Sequence, residues 1–275
     1  MNITSRMSSV VCNSKILAIA RVLLFLVCCT LVLIATSALP LARSGKTSLL
    51  FLAIVSSVGA FLITWAFTHW DSISLTSVGV GFGRGSITRL AFGLAVGFVI
   101  LGAQWALMFV CGRVQLKFSQ LFSLSTFVPI ATAFLFLSAR EELAFHGFAL
   151  QRLRSIVGLW PAQMAIAAVF ALEHMAGGTS PINALAGACM GSLLFGMAAI
   201  ATRGLAVPIG IHAAWNIGDW LRGGKETPGM WRLVVEPGYE SYVQATGLFT
   251  YMMVMALSTF GFWLLYRTRQ TAHEA

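Results

Sequence analysis

The sequence predicts an all-α, polytopic membrane bundle of about eight transmembrane helices around a polar intramembrane cavity, and three observations predict it. The first is composition: 58% of the 275 residues are hydrophobic and only 10% are charged, where soluble domains carry about 25% charged residues. Mean hydropathy is correspondingly high, at +0.84. The second is that apolar stretches of roughly 20 residues, the length a bilayer requires, recur from one end of the chain to the other. The third is the placement of the scarce polar groups. Of nine acidic residues, Glu141 and Glu142 stand side by side at the end of the apolar run Phe127–Ser138. Carboxylates in hydrocarbon cost roughly 2.5–3.5 kcal/mol on insertion scales and mark functional sites.

Spans are read at about 16–39, 47–69, 87–111, 122–146, 159–175, 182–202, 205–221 and 246–266. The first is too long for the core of a signal peptide and lacks a cleavage site, so it is read as a retained helix. The first two spans hold only Arg21 near an end and no buried acid, which makes residues 1–74 an accessory unit. Val78–Gly85 is glycine-dense but lacks the spacing of a phosphate-binding loop, and reads as a flexible lead into the third span. Gly93/Gly97 and Gly187/Gly191 lie four apart, a spacing that lets helix backbones approach closely in lipid. The segments at 159–175 and 205–221 are short and carry polar motifs. The connection at 222–245, with Gly223-Gly224, Pro228, Pro237 and Gly238, reads as a structured loop. Residues 75–222 then form a core, and 223–275 a loop and a last membrane helix.

The net charge of +9 is spread thinly over the loops and excludes a nucleic-acid patch. Eight spans put ten basic residues on one side (Arg6, Lys15, Arg21, Arg84, Arg89, Arg152, Arg154, Arg203, Arg267, Arg269) and seven on the other (Arg43, Lys46, Arg113, Lys117, Arg222, Lys225, Arg232). That bias places both termini in the cytoplasm of a multi-pass cell-membrane protein. Five cysteines, Cys12 among them, show no C-x-x-C spacing and read as small packing residues. His69 reads as an interfacial residue beside Trp70, and His273 as part of a polar tail.

Three segments carry the chemistry: Glu141-Glu142-Leu-Ala-Phe-His146, Phe170-Ala-Leu-Glu-His174 and His212-Ala-Ala-Trp-Asn216. Residues four apart share a helix face, which pairs Glu142 with His146 and His212 with Asn216. Glu141 is turned about 100° from Glu142. The two acids therefore do different work: Glu142 is coupled to His146, and Glu141 is left to meet His174 and His212. Glu173 is expected to face solvent or a loop, and Arg140 to snorkel or to pair with a nearby acid. A glutamate with two histidines can hold a divalent metal such as zinc. The same groups can act without metal, with the glutamate as base for water and His or Asn donors stabilising an oxyanion.

In order, spacing and membrane setting, these motifs over about residues 75–222 resemble the CAAX-processing type II prenyl protease and bacteriocin-immunity (CPBP, or Abi) family of intramembrane proteases. The family pattern is E-E-x-x-x-R, F-x-x-x-H and H-x-x-x-N. The resemblance implies that Glu141 activates water with His174, while His212 and Asn216 stabilise the oxyanion and Glu142 plays a supporting part. The family is often labelled metal-dependent, which implies Glu141, His174 and His212 as the metal set. The departure is His146, where the family has arginine; histidine can lose its charge near neutral pH and arginine does not. The expected function is cleavage of a membrane-associated or lipidated protein or peptide at the bilayer. An ion- or proton-coupled transporter and a non-catalytic immunity or scaffold protein of the same fold are the alternatives. No inverted repeat supports the transporter, and competent residues at Glu141, His174, His212 and Asn216 favour the enzyme.

Overall fold

The computed structural model describes residues 3–38, 46–81, 83–120, 122–225 and 229–274. Arg43 lies outside these residues, as do the side chains of Arg6, Cys12, Lys46 and His273. The described helices are α1 (Ile3–Ser37), α2 (Lys46–Trp70), α3 (Ser86–Cys111), α4 (Leu124–Glu141), α5 (Phe148–Val157), α6 (Leu159–Ala176), α7 (Cys189–Thr202), α8 (Ala206–Leu221) and α9 (Glu240–Glu274). A π-helical turn, Glu142–Gly147, fuses α4 to α5, and a second, Asn183–Ala188, leads into α7. The result is eight continuous helical rods at the positions read from hydropathy.

Among the described residues, five helices are long and apolar enough to cross a membrane: Lys15–Ser37, Ser48–Trp70, Ser86–Cys111, Asn183–Thr202 and Glu240–Ala272. The chain is a multi-pass, all-α membrane protein. The rods that fall short of that mark are α4 with α5, α6 and α8, and these carry the three polar motifs. At 16 residues α8 is too short, and the ends of α4 and α6 carry Arg140, Glu141, Glu173 and His174 among their apolar residues.

The closest packing is between α3 and α8. A Cβ on Gly93 would lie 2.2 Å from the Val207 carbonyl oxygen, and one on Gly210 would lie 2.4 Å from that of Leu90. Gly97 meets Ile211 and Ala214 in the same way. The glycines expected to let helices approach do so here, and α8 is thereby drawn into the bundle. The second glycine pair divides: Gly191 meets the Tyr251 hydroxyl and Phe195, whereas Gly187 faces open space.

Three local expectations are corrected. The glycine-dense lead into α3 is packed at its start. Ser74 caps a 3-10 turn at Leu75–Val78, Gly79 takes φ +83°, and its carbonyl accepts a hydrogen bond from the Leu205 amide at 3.0 Å. The loop after α8 contains a strand. Strand β1 (Val114–Phe118) pairs antiparallel with β2 (Trp231–Val235), Leu116 opposite Leu233. Such a ribbon joins segments too far apart in sequence to leave a local signal. The accessory helices, finally, end on a buried acid. Asp71, just after α2, pairs with Arg21 of α1 and lies 2.8 Å from Arg152 Nε of α5. A carboxylate shared by two arginines ties α1 and α2 to the core.

Candidate active site

Glu142 is the centre of the buried polar cluster. It opens the π turn, is fully buried, and has both carboxylate oxygens engaged. His146 Nδ1 lies 2.8 Å from Oε2, and His212 Nδ1 lies 2.9 Å from Oε1. A carboxylate is the acceptor in both bonds, so each ring carries a proton on Nδ1. The Nε2 atoms are the ends turned to other partners. That of His146 meets Ser192 Oγ at 3.0 Å, and that of His212 faces Glu141 Oε2 at 3.4 Å. Gly196 on α7 gives His146 its space, since a Cβ there would lie 3.0 Å from the imidazole. Phe195 stacks on the His212 ring at 4.3 Å between centroids and an angle of 12°.

Glu141, the last residue of α4, is bound on one side only. Arg140 donates to its Oε1 at 2.8 Å, leaving Oε2 toward His212. Arg140 is itself buried and reaches Glu173 Oε1 at 3.3 Å. Glu173 is therefore not a solvent or loop residue. A guanidinium enclosed among helices is matched by a carboxylate on each side, because a buried charge without partners is expensive.

His174 is set by its own motif. Its Nδ1 donates to the carbonyl of Phe170 at 2.9 Å, and the Phe170 ring packs on the imidazole at 4.4 Å. One residue thus orients the histidine twice and turns its Nε2, as a lone-pair acceptor, away from the backbone. Asn216 is more loosely held, with Nδ2 3.4 Å from Ser138 Oγ and Oδ1 3.5 Å from Lys225 Nζ.

His174, His212 and Asn216 line one cavity of about 560 Å³, together with Gln104 of α3, Tyr251 of α9 and Asp219 of α8. The second π turn contributes Asn183 and Gly187 to its wall. Glu141 is not part of that lining and reaches the cavity through His212. Of the four residues assigned to catalysis from sequence, three share the cavity wall and the fourth stands one contact behind it. The division between the two glutamates also differs from the sequence reading: His212 is held chiefly by Glu142, and Glu141 is tied to Arg140. Arg140, Glu173 and Ser192 were not among the residues singled out for the site, because each enters it through a contact between distant helices.

Among the described residues, no three His, Cys, Asp or Glu side chains are grouped so as to hold a metal ion. Glu141, His174 and His212 do not form such a group; His212 has a carboxylate at each nitrogen and Glu141 a guanidinium on one oxygen. The arrangement does not fit a bound metal.

Fold and site together define a helical membrane protein in which buried glutamates and histidines from three helices meet beside one polar cavity. Residues 123–218, from the N-cap of α4 to the last turn of α8, match the family described as type II CAAX prenyl endopeptidase Rce1-like. The matched segment contains all three motifs and agrees with the resemblance those motifs carry. At the level of the family it supports a CAAX-protease-like intramembrane endopeptidase with a protein substrate at the membrane. Comparison with curated proteins and with solved structures gave no match.

Proposed function

We propose that the chain is an intramembrane endopeptidase that hydrolyses a peptide bond of a membrane-associated or lipidated substrate by glutamate-activated water. The observation that supports this best is the double engagement of Glu142, which fixes His212 on the cavity wall with its Nε2 facing Glu141 Oε2. Glu141 Oε2 takes a proton from water, with the Nε2 lone pair of His174 orienting that water from the α6 side. The resulting hydroxide attacks the scissile carbonyl. Its oxygen, now negative, is met by the Asn216 amide and by Nε2–H of His212 in its imidazolium form; the two residues lie on consecutive turns of α8 and line the same wall. The proton held by Glu141 passes to the leaving amine as the carbon–nitrogen bond breaks, and the carboxylate is restored. Arg140 keeps Glu141 oriented through Oε1 without occupying the reacting oxygen.

We place the protein in the cell membrane with both termini cytoplasmic, a reading supported by the bias of basic residues between the two sides. The test is direct: purified protein in lipid nanodiscs is given a quenched fluorescent peptide carrying a lipidated cysteine, alongside its non-lipidated twin. Cleavage by wild type and none by Glu141→Gln supports the reading. Unchanged cleavage by Glu141→Gln, or turnover restored to a chelated preparation only by added zinc, would overturn it.

A further inference from the structure

At the end of the bundle away from the catalytic cavity, three hollows share walls. One, of about 200 Å³, is lined by Arg89, Arg203, Ser86 and Thr76. A neighbour of about 260 Å³ adds Arg154 and Arg269 and shares Thr76, Gly79 and Arg203 with it. The third, of about 300 Å³, is almost wholly apolar, with Phe61, Leu90, Phe136, Leu143 and Ile209 in its walls. It meets the first along Gly79, Gly81, Ser86, Leu205 and Ala206. Among the described residues, no carboxylate lines any of the three. Arg203 also sits at φ +53°, in the left-handed region that usually falls to glycine or asparagine at the end of a helix.

We infer that this composite hollow binds an anionic phospholipid, with its phosphate between Arg89 and Arg203 and one acyl chain in the apolar groove between α2, α3, α4 and α8. A lining with two arginines and, among the described residues, no carboxylate suits a phosphate, and arginine offers a fork of donors to its oxygens. An apolar channel opening from the same wall distinguishes a lipid from a free anion. Basic pockets between membrane helices are the usual form of headgroup recognition. Because Ala139 and Leu143 line the groove, the acyl chain lies against the helix that carries Glu141 and Glu142, on the side away from the catalytic cavity.

The full-length protein in detergent is titrated with dioleoylphosphatidylglycerol, dioleoylphosphatidylcholine or inorganic phosphate, with the thermal midpoint and native mass spectrometry as readouts. Phosphatidylglycerol is expected to raise the midpoint and remain bound, and the other two are not. The pair Arg89→Gln/Arg203→Gln should weaken phosphatidylglycerol binding about a hundredfold, at about tenfold for each lost charge-assisted contact. Ile87→Trp, which narrows the groove from a position 79% exposed, should weaken it while leaving the unliganded midpoint in place. Arg89→Gln alone, on an exposed helix face, serves if the double variant does not fold. Equal binding of the two phospholipids, equal protection by inorganic phosphate, or arginine and Ile87 variants that bind like wild type would each overturn the inference.

Discussion

Glu142 and His212, 70 residues apart in sequence, are joined inside the bundle by a hydrogen bond of 2.9 Å. Since the second oxygen of Glu142 holds His146, one carboxylate braces the π turn between α4 and α5 and ties it to α8. Glu142→Gln replaces one acceptor oxygen by a donor that opposes an imidazole N–H. We expect it to cost about 3 kcal/mol, as for a buried pair that loses one partner, and to abolish activity. Glu141→Gln should abolish activity too, but with a loss of only about 1 kcal/mol, because Arg140 keeps Glu173 and an amide oxygen remains for it to bond. Thermal unfolding and peptide cleavage on the same preparations separate the two.

His146→Arg, although it restores the family residue, should not be neutral. The imidazole is fully buried against the Cα of Gly196 and between Phe170 and Phe195. Arginine overfills that slot, and overpacking costs about 1–3 kcal/mol. A lowered unfolding midpoint with residual cleavage is the expected result.

Ser192 closes the far end of the His146 ring. Nδ1 donates to Glu142, and the serine hydroxyl lies 3.0 Å from Nε2, where it completes the hydrogen bonding of the imidazole. Ser192→Ala should cost about 1 kcal/mol, because it leaves a buried ring nitrogen without a partner. Thermal unfolding measures the loss; a midpoint equal to that of wild type would remove the serine from this role.

Gly210→Ala should damage stability and activity together. Its Cβ would meet the backbone of α3 at Leu90 and Leu94, and relief requires α8 to shift, carrying His212 with it. About 1–3 kcal/mol is expected. Gly187→Ala, with open space around it, should leave the unfolding midpoint unchanged and serves as the control.

The cavity and the C-terminal end of α9 lie at opposite ends of the helices. Asp219, Arg222 and Lys225 stand at the mouth, whereas Arg269, near the end of α9, reaches the Ala201 carbonyl at the far end of α7. A thiol introduced by Lys225→Cys should therefore react with an impermeant reagent from the side opposite a C-terminal tag in sealed vesicles.

The apolar rods were legible because a run of about 20 apolar residues is a local signal, and so was the pairing of Glu142 with His146, which helix geometry imposes. The close approach at Gly93 and Gly97 was legible for the same reason. What escaped were contacts between distant segments: the ribbon of Gln115 with Val234, the fork of Arg140 onto Glu173, and Ser192 under His146. Asp71 was overlooked as a helix-end residue, yet its two arginines come from α1 and α5. No periodicity reports on such partners. They are set by how the rods dock, which hydropathy leaves open.

The π turn at Glu142–Gly147 also breaks the angular bookkeeping of its rod. A π bulge amounts to one residue beyond the α-helical count, a phase slip of about 100°. A helical wheel drawn straight through 124–157 would assign the wrong face to every residue after Gly147, including Phe148, Ala149 and Leu150, which are wholly buried. The slip lets one rod aim Arg140 and Glu141 at α6 and α8 and still bury Phe148 against Phe25 and Phe67. Removing one residue from the turn would bring the two halves back into phase, and one of those faces would then point the wrong way.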